Sequence, residues 1–207
     1  MNKQVRYFLM IIALALVSFV ITNVMGTANK KRNNQVDGVK LIVQVSKDQR
    51  KPIVRTYKKS VYDGLSTLEV AKIYEEISGK REGDIPCIDL LEDPKVYFSF
   101  KKEDQAVQAQ DIHLEVLAKN YNSRGEDKAQ KIKGQLEKVN DTTYAFQSRR
   151  FTTQYEKYFI EELVFKLSYH IDGVEYFSTF ICLQSNAPDG TDFSKNEELA
   201  QPKEADK

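Results

Sequence analysis

ELVFKLSYHIDGVEYFSTFICL, residues 162–183, is the stretch from which the fold is read. Asp172-Gly173 has the composition of a two-residue type I′ turn, in which both central residues take positive φ. That turn sets a register in which Ile171 faces Val174, Tyr169 faces Tyr176, Phe165 faces Phe180 and Leu163 faces Cys182. Period two then gathers Leu163, Phe165, Leu167, Tyr169, Ile171, Val174, Tyr176, Phe180 and Cys182 on one face. This is a core face, because a slip of one residue would expose all of it. The opposite face holds Lys166, Ser168, His170, Glu175 and Thr179, but also Phe177, Ile181 and Leu183. These three need a cover, from another element or from a second protein, and they form the candidate protein interface.

Working back from the hairpin, the chain alternates repeatedly. Val39, Leu41, Val43 and Val45 share one face of a strand, and the turn DQRKP (48–52) leads to Ile53–Tyr57 as its returning strand. Val96, Phe98 and Phe100 alternate, as do Ile112, Leu114, Val116 and Ala118, with His113 and Glu115 outward. Asn120–Asp127 reads as a loop. Ile132–Val139 and Thr143–Phe151 read as a second hairpin across Asn140-Asp141. Short alternating strands with turn signals predict a mainly antiparallel β domain over residues 39–184, a sandwich of immunoglobulin-like type.

One amphipathic helix interrupts the strands, over 66–78. Ser66 and Glu69 have capping-box spacing, and Val70, Ile73, Tyr74 and Ile77 share a face. Gly79 suits the left-handed position that ends a helix. The apolar stripe reads as packing on the domain's own sheet.

Before the domain, Tyr7–Val24 (YFLMIIALALVSFVITNV) runs eighteen residues without a charge. As a helix it spans about 27 Å, close to the hydrocarbon thickness of a bilayer. Lys3 and Arg6 precede it in a short basic tail, residues 1–6, and residues 25–38 follow as a polar linker. Gly26-Thr27-Ala28 also fits a signal-peptide cleavage site, but the apolar run exceeds an ordinary signal core. A buried core helix is the third possibility. The expectation is a single-pass signal-anchor in the inner membrane with the domain on the extracytoplasmic, periplasmic side. Flanking charges are nearly balanced and do not set the orientation. Residues 185–207 have little to bury and are expected to be disordered.

The chemistry is sparse. Lys3 and Arg6 are the only charges before residue 25, so the remainder carries 29 basic against 30 acidic side chains, interspersed. No basic excess marks a nucleic-acid binder. No P-loop, dinucleotide fingerprint, G-x-S-x-G or HExxH is present, so no catalytic residue, cofactor, metal site or small-molecule substrate is assigned. Asp84, Asp89, Glu92 and Asp93 lack the spacing of a calcium loop. Cys87 and Cys182 are the two cysteines. An exported domain allows them one disulfide, and two separate buried thiols are the other reading.

The layout resembles that of single-pass accessory subunits of bacterial envelope machines, of secretion or motility type. It is a likeness of layout, carried by no motif. The expected function is a non-catalytic, membrane-anchored interaction or scaffold subunit of an envelope protein complex, with other envelope proteins as partners. The alternative is a membrane-anchored module for a small ligand or metal. An uncovered apolar patch at Phe177 favours the first, and a pocket holding His113 or His170 with acids favours the second.

Overall fold

The computed structural model describes residues 34–79, 84–121, 129–152, 157–188 and 191. The Tyr7–Val24 stretch and nearly all of the tail after Pro188 lie outside them. Among the described residues no helix is long and apolar enough to cross a membrane.

The order is β1 (Val39–Val45), β2 (Arg55–Lys58), α1 (Lys59–Asp63), α2 (Thr67–Ile77), β3 (Cys87–Asp89), β4 (Lys95–Lys102), β5 (Gln105–Val107), β6 (Gln110–Asn120), β7 (Gln130–Gly134), β8 (Leu136–Lys138), β9 (Thr143–Gln147), β10 (Ile160–Ile171) and β11 (Val174–Ser185). The strands form two sheets. The first runs β1-β4-β9-β8 with β5 beside β4, and the second runs β2-β11-β10-β6-β7 with β3 beside β11. All pairings are antiparallel except β3 on β11. The strands divide five and six between the sheets, where an immunoglobulin constant domain has four and three.

The β10–β11 hairpin has the register that its turn dictates. Ile171 pairs with Val174, Phe165 with Phe180 and Leu163 with Cys182. Asp172 and Gly173 both take positive φ, 52° and 75°. Phe165 and Phe180 stack with centroids 4.7 Å apart and planes 5° from parallel. Phe98 of the facing sheet packs against both, at 6.2 Å and 6.0 Å. Around them Leu41, Val96, Phe100, Leu163 and Leu167 are fully buried, each contributing about 1.5–3 kcal/mol of transfer free energy.

One polar group sits in this core because partners await it. The Tyr169 hydroxyl lies 2.9 Å from that of Ser178, which lies 2.9 Å from that of Thr56 on β2. A second buried network holds the segment after β9. The Glu161 carboxylate accepts the backbone N–H of Thr152 at 2.6 Å and of Phe151, and Gln184 joins it to Ser148.

Two strand expectations are corrected. Ile53–Tyr57 does not return on β1. Residues 55–58 pair with β11, and the two early strands enter different sheets. The run 132–139 is not one strand either. It divides at Gln135, so that β7 pairs with β6 and β8 pairs with β9. Gly134 allows this crossing, since a Cβ there would come within 2.5 Å of the Leu114 side chain. The chain is also ordered earlier than a linker ending at 38 implies. Val36 bridges to Val39, and the Asn34 side chain bonds both the N–H and the C=O of Thr56.

Helix α2 forms as its spacing predicts. Ser66 Oγ accepts the Glu69 N–H at 3.3 Å, and Glu69 Oε2 accepts the Ser66 N–H at 2.8 Å. Gly79 follows the Ser78 cap at φ 74°. Its buried face, Ile73 and Ile77, packs with Ile85, Val164 and Ile181 on the outer side of the second sheet. That sheet is therefore covered on both faces, which explains why Leu163-Val164-Phe165 and Phe180-Ile181-Cys182 are continuous apolar runs.

Candidate functional site

The outer face of β10–β11 carries the candidate interface, and most of its apolar part is closed by the chain itself. Phe177 is 5% exposed and Ile181 3%, while Leu183 is half-buried beside α2. The Tyr62 ring of α1 stacks on Phe177 with centroids 3.8 Å apart. The cover that these residues need is thus supplied within the chain, and no open apolar patch forms at Phe177.

The helices do not reach across the whole sheet. Between α1 and β7 lies an open cleft of about 510 Å³, floored by Ser168 and Phe177 and walled by Tyr62 and Lys59 on one side and by Lys131–Gly134 on the other. Residues opposed across a ladder share a face. Register therefore sets Glu115 of β6 between Lys133 of β7 and Lys166 of β10. Lys131 Nζ lies 2.6 Å from a Glu115 oxygen and Lys166 Nζ 3.9 Å from the other. One carboxylate thus has two ammonium groups beside it, with Lys133 opposite it in the ladder. Lys133 has no ion-pair partner among the described residues, and Lys59 is paired with Asp63 on its own helix. Lys166 also lies 5.8 Å over the Tyr74 ring. Burial raises the Tyr62 and Tyr74 phenols above their ordinary range.

The histidines divide. His113 lines this cleft, while His170 Nδ1 lies 3.7 Å from Asp111 Oδ2 at the irregularity between β6 and β10. Among the described residues no three His, Cys, Asp or Glu side chains converge as a metal ion requires.

No disulfide joins the half-buried Cys87 to the wholly buried Cys182 in this structure. The reason is register. β3 runs parallel to β11 with Cys87 opposite Leu183, one residue past Cys182. Alternation then sends Cys87 to the Leu183 side and Cys182 to the core. The Cys87 N–H donates to Asp48 Oδ2 at 2.7 Å, beside a second cleft of about 580 Å³. Four of the charges around that cleft pair as Asp48–Arg50 and Lys47–Glu92, and Asp89 adds a fifth.

The lysine cleft was not visible in the sequence as a site. Lys131 and Lys133 stand two apart and so share a strand face, but their meeting with Glu115 and Lys166 depends on the order β7-β6-β10. Comparison with protein-family models, curated proteins and solved structures finds no match for this chain.

Proposed function

We propose that the chain is a non-catalytic subunit of a bacterial envelope complex, tethered by Tyr7–Val24, whose extracytoplasmic domain docks an acidic partner protein in the cleft between α1 and β7. The observation that carries this reading is the single Glu115 carboxylate among Lys131, Lys133 and Lys166. A positive recess in a domain of nearly balanced charge selects anionic partners and speeds their encounter.

The test is co-purification from detergent-solubilised membrane, comparing the native chain with a Lys131→Glu, Lys133→Glu double variant. Both side chains are exposed on β7, and a thermal melt of the variant followed by circular dichroism checks that the domain stays folded. Partner proteins recovered with the native chain and lost with the variant support the reading. An unchanged set of partners overturns it.

A second reading is a small-anion module, favoured by the cleft volume, which lies within the range of small-ligand sites. Saturable binding of a small polycarboxylate, with partner proteins retained by the double variant, would select it.

A further inference from the structure

We infer that the partner binds as an added β-strand on the free side of β7, through an extended segment whose acidic residues alternate with apolar ones. This rests on the acidic-partner reading: the added strand lies along the edge of β7 away from β6, and its acidic side chains share the face on which Lys131 and Lys133 border the cleft.

β7 is the last strand of its sheet. Its outer row of N–H and C=O groups has no strand partner among the described residues, which is the template for strand addition. β7 also lines the cleft with four consecutive residues, Lys131 to Gly134, so backbone as well as side chains borders the recess.

The side chains say which segment fits. Lys131 and Lys133 point to the cleft face, since they stand opposite Leu117 and Glu115, whereas Ile132 stands opposite the buried Val116 and is half-buried. On a strand, residues two apart are separated by roughly 6.6–6.8 Å. Acidic residues at alternate positions of an added strand repeat at the same interval, so each meets a lysine across the new ladder. The residue between them falls on the Ile132 side, where an apolar side chain extends the core edge. The pattern is acidic, apolar, acidic.

The same lysines turn other strands away from this edge. A second copy pairing β7 to β7 would set lysines against lysines, and like charges directly opposite destabilise a ladder. Basic or purely apolar strands gain no ion pairs at Lys133. The edge is therefore closed to self-association and open to one class of partner.

The test uses full-length protein in detergent and fluorescent heptapeptides, followed by anisotropy. The peptides are alternating Glu/Val, the same peptide N-methylated at alternate residues so that one edge cannot donate, and alternating Lys/Val. The Glu/Val peptide should bind and the Lys/Val peptide should not. N-methylation should weaken binding at least about tenfold, because ladder hydrogen bonds supply much of the affinity of an added strand. Lys133→Glu should weaken it by at least about tenfold as well.

Equal binding of the methylated and unmethylated acidic peptides overturns strand addition and leaves the acidic-partner reading standing. Full displacement of the peptide by citrate at equal carboxylate concentration also overturns it, in favour of a small-anion site. Binding of neither acidic peptide overturns both readings.

Discussion

Tyr62 and Phe177 stack with their ring centroids 3.8 Å apart and their planes 24° from parallel. This one contact pins the short helix α1 to the middle of β11 and forms the edge of the lysine cleft. It also converts an apolar residue that faced outward on the hairpin into part of the interior.

Phe177→Ala removes that contact and leaves a void under α1, so it should destabilise the domain by about 3–5 kcal/mol. Urea unfolding followed by fluorescence measures it. A loss under about 1 kcal/mol would mean that α1 does not close this face.

Gly173→Val tests the turn. No atom lies within 4 Å of where its Cβ would be, so the cost is purely that of a β-branched residue at φ 75°. The expected loss is about 1–2 kcal/mol. An unchanged unfolding midpoint contradicts the positive φ.

The two thiols should separate in an alkylation experiment. Cys182 is wholly buried, and burial pushes its thiol well above the ordinary range, with Cys87 and Asp48 nearby adding to the rise. Iodoacetamide on native, unreduced protein should label Cys87 alone, and urea should then expose Cys182 to a second label. A mass showing neither site labelled after unfolding would establish a disulfide.

Alkaline pH should weaken the fold through Tyr169. Burial pushes its phenol up to about 12, with hydrogen bonds to Ser178 and Thr56 opposing. An unfolded tyrosine titrates near 10. Below pH 10 both states hold the proton and stability is level. Between about 10 and 12 the unfolded chain releases it while the native state keeps it, so stability falls as pH rises, by about 3 kcal/mol at completion. Urea midpoints across this range should drop less steeply in Tyr169→Phe. Identical slopes in the two proteins would remove Tyr169 as the cause.

The tether is tested by fractionation. Full-length protein should stay with membranes through an alkaline carbonate wash, since eighteen uncharged residues suffice to span. Release of a chain beginning near Asn29 would show cleavage instead.

How much of this could be read in advance follows from the range of each interaction. The β10–β11 register was legible because Asp172-Gly173 fixes it locally, and α2 was legible because Ser66 and Glu69 are three apart. The turn between β4 and β5 carries no such signal. Glu103 and Asp104 adopt φ of 51° and 66° without a glycine, and Asp104 pairs with Lys40 from β1. The neighbours of β2 were hidden for another reason, since nothing near Arg55–Lys58 names β11 as its partner. The cleft combines both difficulties. Its charges come from three strands whose adjacency is a property of the finished sheet, and the helices that close the Phe177 face are placed by tertiary packing.

The pairing of Thr56 with Ser178 joins residues 122 positions apart. A ribosome adding about 5–20 residues per second needs roughly 6–25 s to make the second after the first. For most of that interval β2, α1 and α2 have been made without the strands that bury them. Ile73 and Ile77 wait for Val164 and Ile181, so the half-made chain presents a sticky helix to its surroundings. The outer face of the second sheet therefore closes only when β10 and β11 have been made.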